Sequence, residues 1–317
     1  MNQPKVSIII LNWNGLKDTV ECLESLKKIT YPNYEVIVVD NGSQGDDVKV
    51  LKERYGDYIY IIQNEKNYGF ARGNNVGIRY VLDKGTDYVL LLNNDTVVAP
   101  DFLDEMVRVA ESDERIGIVC PRMYRYSQPE QVCYDGGMRI HLWWGAIWYR
   151  LTLTRRLRPD DERAVVDTEF AAGTAMLIRR KTLAEIGLLP EEYFFGVDDL
   201  DYSVNALRNK FRIVVARRAT VLHKVLSTAG VSMGWPKIAY MVYEGWQILL
   251  RKYLSPPGRV LTTLFMLVQA AFVSAAKLLY YIWHRDFHNA GMLLRIMREA
   301  LRGLVAGLLS SKPGGLH

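Results

Sequence analysis

The spacing of apolar positions changes period along the chain, and each change marks an element. Val6–Leu11 is apolar except at Ser7 and is short, as a strand buried on both faces should be. Leu16, Val20, Leu23 and Leu26 then recur at helical spacing. Val36–Asp40 reads as a second strand ending on a carboxylate, followed by the turn Asn41-Gly42-Ser43. Val48–Tyr55 suits a helix, Ile59–Ile62 a strand, Ala71–Leu82 a helix and Tyr88–Leu92 another strand. After Pro100, a helix carrying Leu103, Met106, Val107 and Ala110 leads to strand Ile116–Val119. This alternation predicts an α/β fold with a mostly parallel central sheet, right-handed crossovers and helices on both faces.

From Arg122 to about Asp167 the pattern loosens around the aromatic stretch Trp143–Tyr149. It returns at Phe170–Arg180, in a helix over Asp199–Asn209, and in short strands at Phe211–Val215 and Ala219–Leu222. Nothing proline- or serine-rich separates these parts, so residues 1–235 are expected to form one domain. Residues 236–317 read as a separate helical region. Val260–Ala276 carries no formal charge but stops short of the ~20 residues that a bilayer crossing needs. Thr262, Thr263, Gln269, Ser274 and Lys277 fall within one arc of roughly 140° on a helix, which favours lying in an interface or packing on a partner. In the next helix Arg295, Arg298, Glu299 and Arg302 share one face, and Leu293, Leu294, Met297, Leu301, Leu304 and Leu308 cover the other.

Composition narrows the choices. With 49% hydrophobic and 24% charged residues the chain is a folded protein and not a disordered one. Cys22, Cys120 and Cys133 are odd in number and lack a Cys-x-x-Cys pair, which argues against a disulfide framework or a zinc site. The apolar run after Met1 ends in the polar turn Asn12-Trp13-Asn14-Gly15 and so reads as a first strand, not a signal peptide. The net charge of +5 is uneven, with a local balance of +7 from Pro236 onward. Nucleic acid and an anionic membrane surface both suit such a tail. The accompanying apolar faces decide for the membrane surface and against nucleic acid, because that surface needs a place to go. A helical hairpin buried against the rest of the chain is the plainer alternative.

Candidate chemistry gathers at predicted strand ends. Leu90-Leu91-Leu92 runs into Asn93-Asn94-Asp95, and a carboxylate leaving a buried strand belongs at the carboxyl edge of the sheet, where open α/β folds place ligands. Asn93 and Asp95 are two apart and could share one cation or one sugar ring, although Asn93-Asn94-Asp95-Thr96 also suits a plain turn and helix cap. Asp40 should line the same edge. A dinucleotide fold would need Gly-x-Gly-x-x-Gly after the first strand, and this chain has Asn12-Trp13-Asn14-Gly15 there. Asn67–Gly77 enters a helix with glycines that admit close backbone approach, and Arg72 could meet a phosphate. In Phe194-Phe195-Gly196-Val197-Asp198-Asp199-Leu200-Asp201 the acids suit a helix start. The two aromatics before them would wall an acid from water and raise its pKa toward that of a general base. His223, at a strand exit, could complete a hard-metal site with Asp95.

Taken in order, Val6–Gly15, Val36–Ser43, Asn67–Gly77, Leu90–Thr96, Gly173–Arg180, Phe194–Asp201 and His223 resemble the family 2 glycosyltransferases of the GT-A fold, in particular the rhamnosyltransferase-like and galactofuranosyltransferase-like branch. The resemblance implies inverting, metal-dependent transfer of a sugar from a nucleotide diphosphate (dTDP- or UDP-linked) to a lipid-linked or polysaccharide hydroxyl. The setting would be cell-envelope glycan synthesis at the cytoplasmic face of the membrane, by a peripheral or monotopic protein. It implies Asp199 as catalytic base with Asp198 beside it, and donor contacts from Asn12, Asp40, Asn67, Gly69, Arg72, Asn94 and Gly173. Mg²⁺ or Mn²⁺ would sit on Asp95, His223 and Asn93, and Asp201 would contact the acceptor. Trp143 and Trp144 lie where the resemblance is weakest; they could stack on an acceptor sugar, dip into lipid beside the site, or fill a gap against the sheet, and the poor periodicity around them leans to the acceptor. Two departures stand out: Asn93 where aspartate is frequent, and Asp198 where glutamate is common. A sugar nucleotidyltransferase would need a glycine- and lysine-rich loop after the first strand, which Asn12–Leu16 does not supply. An inactive sugar-nucleotide-binding subunit is favoured only by Asn93.

Overall fold

The computed structural model describes residues 3–140, 164–224 and 233–309. Ten strands form one sheet in the order β3-β2-β1-β4-β9-β6-β10-β5, with β7 on β6 and β8 on β10. Its first half is parallel. β1 (Val6–Asn12) lies between β2 (Tyr34–Asp40) and β4 (Tyr88–Asn93), with Ile8 opposite both Val36 and Leu90, and β3 (Ile59–Gln63) flanks β2. All of these strands therefore end on one edge. Ile8, Ile9 and Ile10 are wholly buried because helices cover both faces, which explains the nearly unbroken apolar spelling of the strand.

Beyond β4 the direction reverses. β9 (Ala175–Arg179) lies antiparallel between β4 and β6 (Ile116–Arg125), and β6 is parallel to β10 (Arg212–His223). β5 (Thr96–Val98), β7 (Gln128–Tyr134) and β8 (Val165–Thr168) are antiparallel additions. The two short strands expected at 211–222 are one strand whose register slips between Ala216 and Thr220. Arg217 and Arg218 break the apolar run there, and Arg217 turns inward to pair with Asp135 at 2.8 Å.

The helices are α1 (Leu16–Leu26), α2 (Asp47–Tyr55), α3 (Phe70–Leu82), α4 (Phe102–Glu111), α5 (Arg180–Ile186), α6 (Asp198–Arg208), α7 (Trp235–Tyr253), α8 (Pro256–Trp283) and α9 (Phe287–Leu309). The boundary expected at 235 falls where α7 begins, yet α7 is not outside the core. Trp246, Leu249 and Leu250 belong to the same buried cluster as the sheet. α9 lies close on α7: a Cβ on Gly303 would strike the Tyr240 carbonyl, and one on Gly307 would come within 2.5 Å of Gln247 Cβ.

α8 is turned inside out. Its polar Thr262 and Thr263 are 1% and 3% exposed, and Thr263 exchanges hydrogen bonds with Gln247 of α7. Val268, Phe272, Leu279 and Trp283 face outward at 69%, 77%, 68% and 85% exposure. A helix in a water-surrounded globule has the opposite arrangement.

Candidate active site

β4 ends at Asn93, and the turn Asn94-Asp95 sends the chain into β5, which crosses to pair with β10. That crossing brings Thr96 opposite His223. His223 Nε2 lies 3.3 Å from Asp95 Oδ1, and the Lys224 amide donates to the Asp95 carbonyl at 3.0 Å. Lys224 fixes this corner by pairing with Asp18 and Glu21 of α1, each at 2.6 Å. Burial alone would lower the His223 pKa. The bonds to Asp95 and Cys133 outweigh it and raise the value to about 9.

Opposite this corner stand Asp198 and Asp199. Val197, the N-cap of α6, is left-handed at φ 72°, and Gly196 before it has φ 74°. A β-branched residue there costs on the order of 1–3 kcal/mol and persists only where its surroundings over-determine it. The reversal aims Asp199 at the cavity, where its Oδ2 accepts from the Gly173 amide at 3.2 Å and its Oδ1 from the Leu200 amide at 2.8 Å. Burial raises the Asp199 pKa to about 6, against those backbone bonds. Burial and then the neighbouring Asp199 charge push Asp198 well above the carboxylate range. Asp198 is 3% exposed and its Oδ2 has no hydrogen-bond partner among the described residues.

Both clusters line one cavity of about 420 Å³ together with Asn93, Asn94, Asn67, Gly69 and Gly173. Its polar wall is the strand edge. Its apolar wall comes from Phe194 and Phe195 and, unforeseen in the sequence, from Val242 and Trp246 of α7. An adjoining hollow of about 690 Å³ shares Trp13 and Asn67 with it and is lined by Gly42, Ser43, Gln63, Asn64 and Lys66.

The loops between the two hollows are joined by Asn41, which sequence reasoning treated only as a turn residue. Its amide donates to Asn67 Oδ1 at 2.9 Å and to the Gly69 carbonyl at 3.1 Å, and its oxygen accepts from Asn64 and the Tyr68 amide. Its place directly after an acid-ended strand was the available signal. Gly69 has φ 83° and backs so closely onto the Phe194 carbonyl that a Cβ would collide with it. The Phe70 amide donates to that same carbonyl at 2.9 Å.

A model of the family described as "Glycosyl transferase family 2" matches residues 7–187. The chain belongs to this family. The low-salt glycan biosynthesis hexosyltransferase Agl10 of Haloferax volcanii is 25% identical over 219 residues, 69% of this chain and 66% of that protein. An N-acetylglucosaminyl-diphospho-decaprenol L-rhamnosyltransferase of Mycobacterium tuberculosis is 25% identical over 66% of this chain and 72% of its own length. Other relatives are matched over shorter stretches, 37% and 39% of their lengths for two of them. Among solved structures, a mannosyltransferase of Pyrobaculum calidifontis in complex with GDP-Man and Mn²⁺ superposes with a TM-score of 0.61 at 16% identity, over 98% of this chain and 89% of that one. The fold is the GT-A type of glycosyltransferases.

In this family 2 chain the expected site residues divide into two groups. Asp95, His223, Asn93, Asn94, Asp198, Asp199, Asn67, Gly69 and Gly173 converge on the cavity. Asn12, Asp40, Arg72 and Asp201 do not line it. Asp40 is fully buried, bonded to the Asn12 amide at 2.9 Å and to Ser43 Oγ at 2.6 Å, and so braces the turn after β2. Asn12 is held in turn by Asp47 at 3.0 Å and Thr19 at 2.8 Å. Arg72 is exposed and lies over the Tyr68 ring, 4.5 Å from its centroid. Asp201 is corrected from an acceptor contact to an internal partner, because Tyr193, Lys252 and Tyr253 occupy both its oxygens. Trp143 and Trp144 lie outside the described residues.

The residues fit a divalent cation to a limited degree. Among the described residues no group of three or more His, Cys, Asp or Glu side chains is assembled. One carboxylate and one imidazole at the cavity wall can supply part of a hard cation's shell, with phosphate oxygens and water completing it. Because the imidazole holds its proton to about pH 9, a metal arriving there must displace it.

Proposed function

We propose that this chain is an inverting hexosyltransferase that moves a sugar from a nucleoside diphosphate to a hydroxyl of a lipid-linked or glycan acceptor. The observation that carries this reading is the meeting of Asp199, near-neutral in pKa, with the Asp95–His223 corner across one cavity. Asp199 accepts the proton of the acceptor hydroxyl as its oxygen attacks the anomeric carbon. The bond from that carbon to the diphosphate breaks, and the electron pair leaves on the phosphate oxygen. Asp95 and His223, with Asn93, would hold Mg²⁺ or Mn²⁺, which when bound offsets charge on the diphosphate. The Gly173 and Leu200 amides keep the base aimed, and Phe194, Phe195 and Trp246 exclude water from the reacting centre. The bound Mn²⁺ and GDP-mannose in the Pyrobaculum mannosyltransferase support the choice of cation and donor class.

We further place the protein on a membrane, with the outward apolar side of α8 in the lipid interface. α8 is also long and apolar enough to cross a bilayer, but its inward Thr263 exchanges hydrogen bonds with Gln247 of α7, which supports a monotopic seat. A cytoplasmic face agrees with acceptors of the kind named for the mycobacterial relative.

The deciding experiment measures nucleoside diphosphate released from UDP-glucose, GDP-mannose and dTDP-rhamnose with Mn²⁺, together with UDP and GDP binding by thermal shift. Asp199→Asn should lower turnover by about 100-fold or more while keeping nucleotide binding. Retained turnover in that variant would end the proposal.

A further inference from the structure

Asp201 was expected at the acceptor, and the structure gives it other work. It is 1% exposed, one helical turn beyond Asp198 on α6. Its Oδ2 accepts from Tyr193 Oη at 2.9 Å and from Lys252 Nζ at 2.6 Å, and its Oδ1 accepts from Tyr253 Oη at 2.5 Å. Lys252 and Tyr253 end α7, and Tyr193 precedes the left-handed pair Gly196-Val197. Three donors from two separate segments thus converge on one buried carboxylate, directly behind the turn that presents Asp199.

The same turn is held from both sides. The start of α3 presses on it through Gly69 and through the Phe70 amide bonded to the Phe194 carbonyl. α7 presses from the other side: a Cβ on Gly245 would come within 3.3 Å of both the Tyr193 ring and the Val197 side chain, and Val242 stands 3.2 Å from where a Gly196 Cβ would sit. A strained turn keeps its conformation only while such neighbours stay in place. The Gly69–Phe194 contact does not involve α7, so α7 is fixed against the turn by side-chain packing and by the Asp201 cluster.

We propose that Asp201 is a positioning residue: with Tyr193, Lys252 and Tyr253 it latches α7 onto the Gly196-Val197 turn and so sets the aim of Asp199. The latch rests on the reading of Asp199 as the base. It acts through the turn and does not touch substrate. α7 is consequently part of the catalytic unit, and the C-terminal helices seated on α7 cannot be removed without disturbing the base.

Asp201→Asn tests this with little change of volume, because the amide presents two protons to a cluster that already holds three donors. Turnover of the fastest of UDP-glucose, GDP-mannose and dTDP-rhamnose with Mn²⁺ should fall about 10- to 100-fold in kcat, with KM for the nucleotide sugar within about twofold. Lys252→Met should move kcat the same way by less. Glu192→Gln, which removes only the other partner of Lys252, should leave kcat unchanged. Amide exchange at residues 197–200 should quicken in Asp201→Asn while that of β1 does not. An unchanged kcat, kcat and KM changing together, or unaltered exchange at the turn would overturn the latch. Should Asp199→Asn be inactive while Asp201→Asn turns over normally, only the latch fails. Should Asp199→Asn stay active, the base assignment fails with it.

Discussion

Asp198 and Asp199 are adjacent carboxyls in one buried turn, and which of them is charged decides what each can do. Both are raised by burial; Asp199 takes two backbone amides on its oxygens, while Oδ2 of Asp198 has no hydrogen-bond partner among the described residues. Burial and then the charge of Asp199 push Asp198 well above the carboxylate range, and burial raises Asp199 to about 6. Asp199 is thus the proton acceptor of the pair at neutral pH. The base works only when ionised, so kcat should be level above its pKa and fall as pH drops through about 6, losing roughly tenfold per unit below it. A profile of kcat from about pH 5 to 8 checks this. A rate that stays flat through that range would mean that another group takes the proton. The two acids were legible in the sequence from the aromatics before them. Their unequal environments were not, because Gly173 lies 26 residues away and reaches Asp199 only through the tertiary fold.

The elements themselves were largely readable. Short continuous apolar runs located β1 to β4, and period-3.6 patterns α1 to α4, within one or two residues, since each element buries a continuous apolar set against its neighbours. What failed was reading the partners of polar residues. Asp40 and Asp201 look alike in the sequence, acids at an element boundary, and both are consumed by internal hydrogen bonds. α7 falls in the stretch whose apolar and amphipathic pattern reads as a separate helical region, yet its Trp246 joins the buried core and its Val242 lines the cavity. Spacing along a chain reports burial but not which distant element does the burying. Gly69 shows the consequence for the loop before α3. Its φ of 83° and its contact with the Phe194 carbonyl leave no room for a side chain, so Gly69→Ala must shift the turn that carries the base. We expect a melting temperature several degrees lower, for a cost of about 1–3 kcal/mol, and weaker UDP or GDP binding in the same thermal-shift assay. An unaltered melting curve would show that the loop relaxes freely.

Over the whole molecule the two ends of the chain differ in what they bury. The sheet and its helices hide their apolar residues, while α8 hides threonines and shows Leu261, Val268, Phe272, Leu279 and Trp283. Exposed apolar area on this scale is rare on a monomer in water. α9 adds Leu294 and Leu301 at 51% and 52% exposure, along with Arg295, Arg298 and Arg302. Aromatic and aliphatic side chains beside arginines suit a bilayer interface carrying anionic headgroups. The 317-residue chain should therefore float with vesicles of phosphatidylglycerol and phosphatidylcholine, and less with phosphatidylcholine alone. Raising salt should weaken the electrostatic share and leave the apolar share. Phe272→Ser with Trp283→Ser removes two of the most exposed apolar groups without touching the buried Thr263–Gln247 side, so the fold and nucleotide binding should persist while vesicle binding drops about 10-fold or more. Self-association is the competing fate of such a surface. It predicts a detergent-reversible oligomer that these substitutions dissolve, with vesicle binding that does not respond to lipid charge, and sedimentation of both variants in the presence and absence of vesicles separates the two.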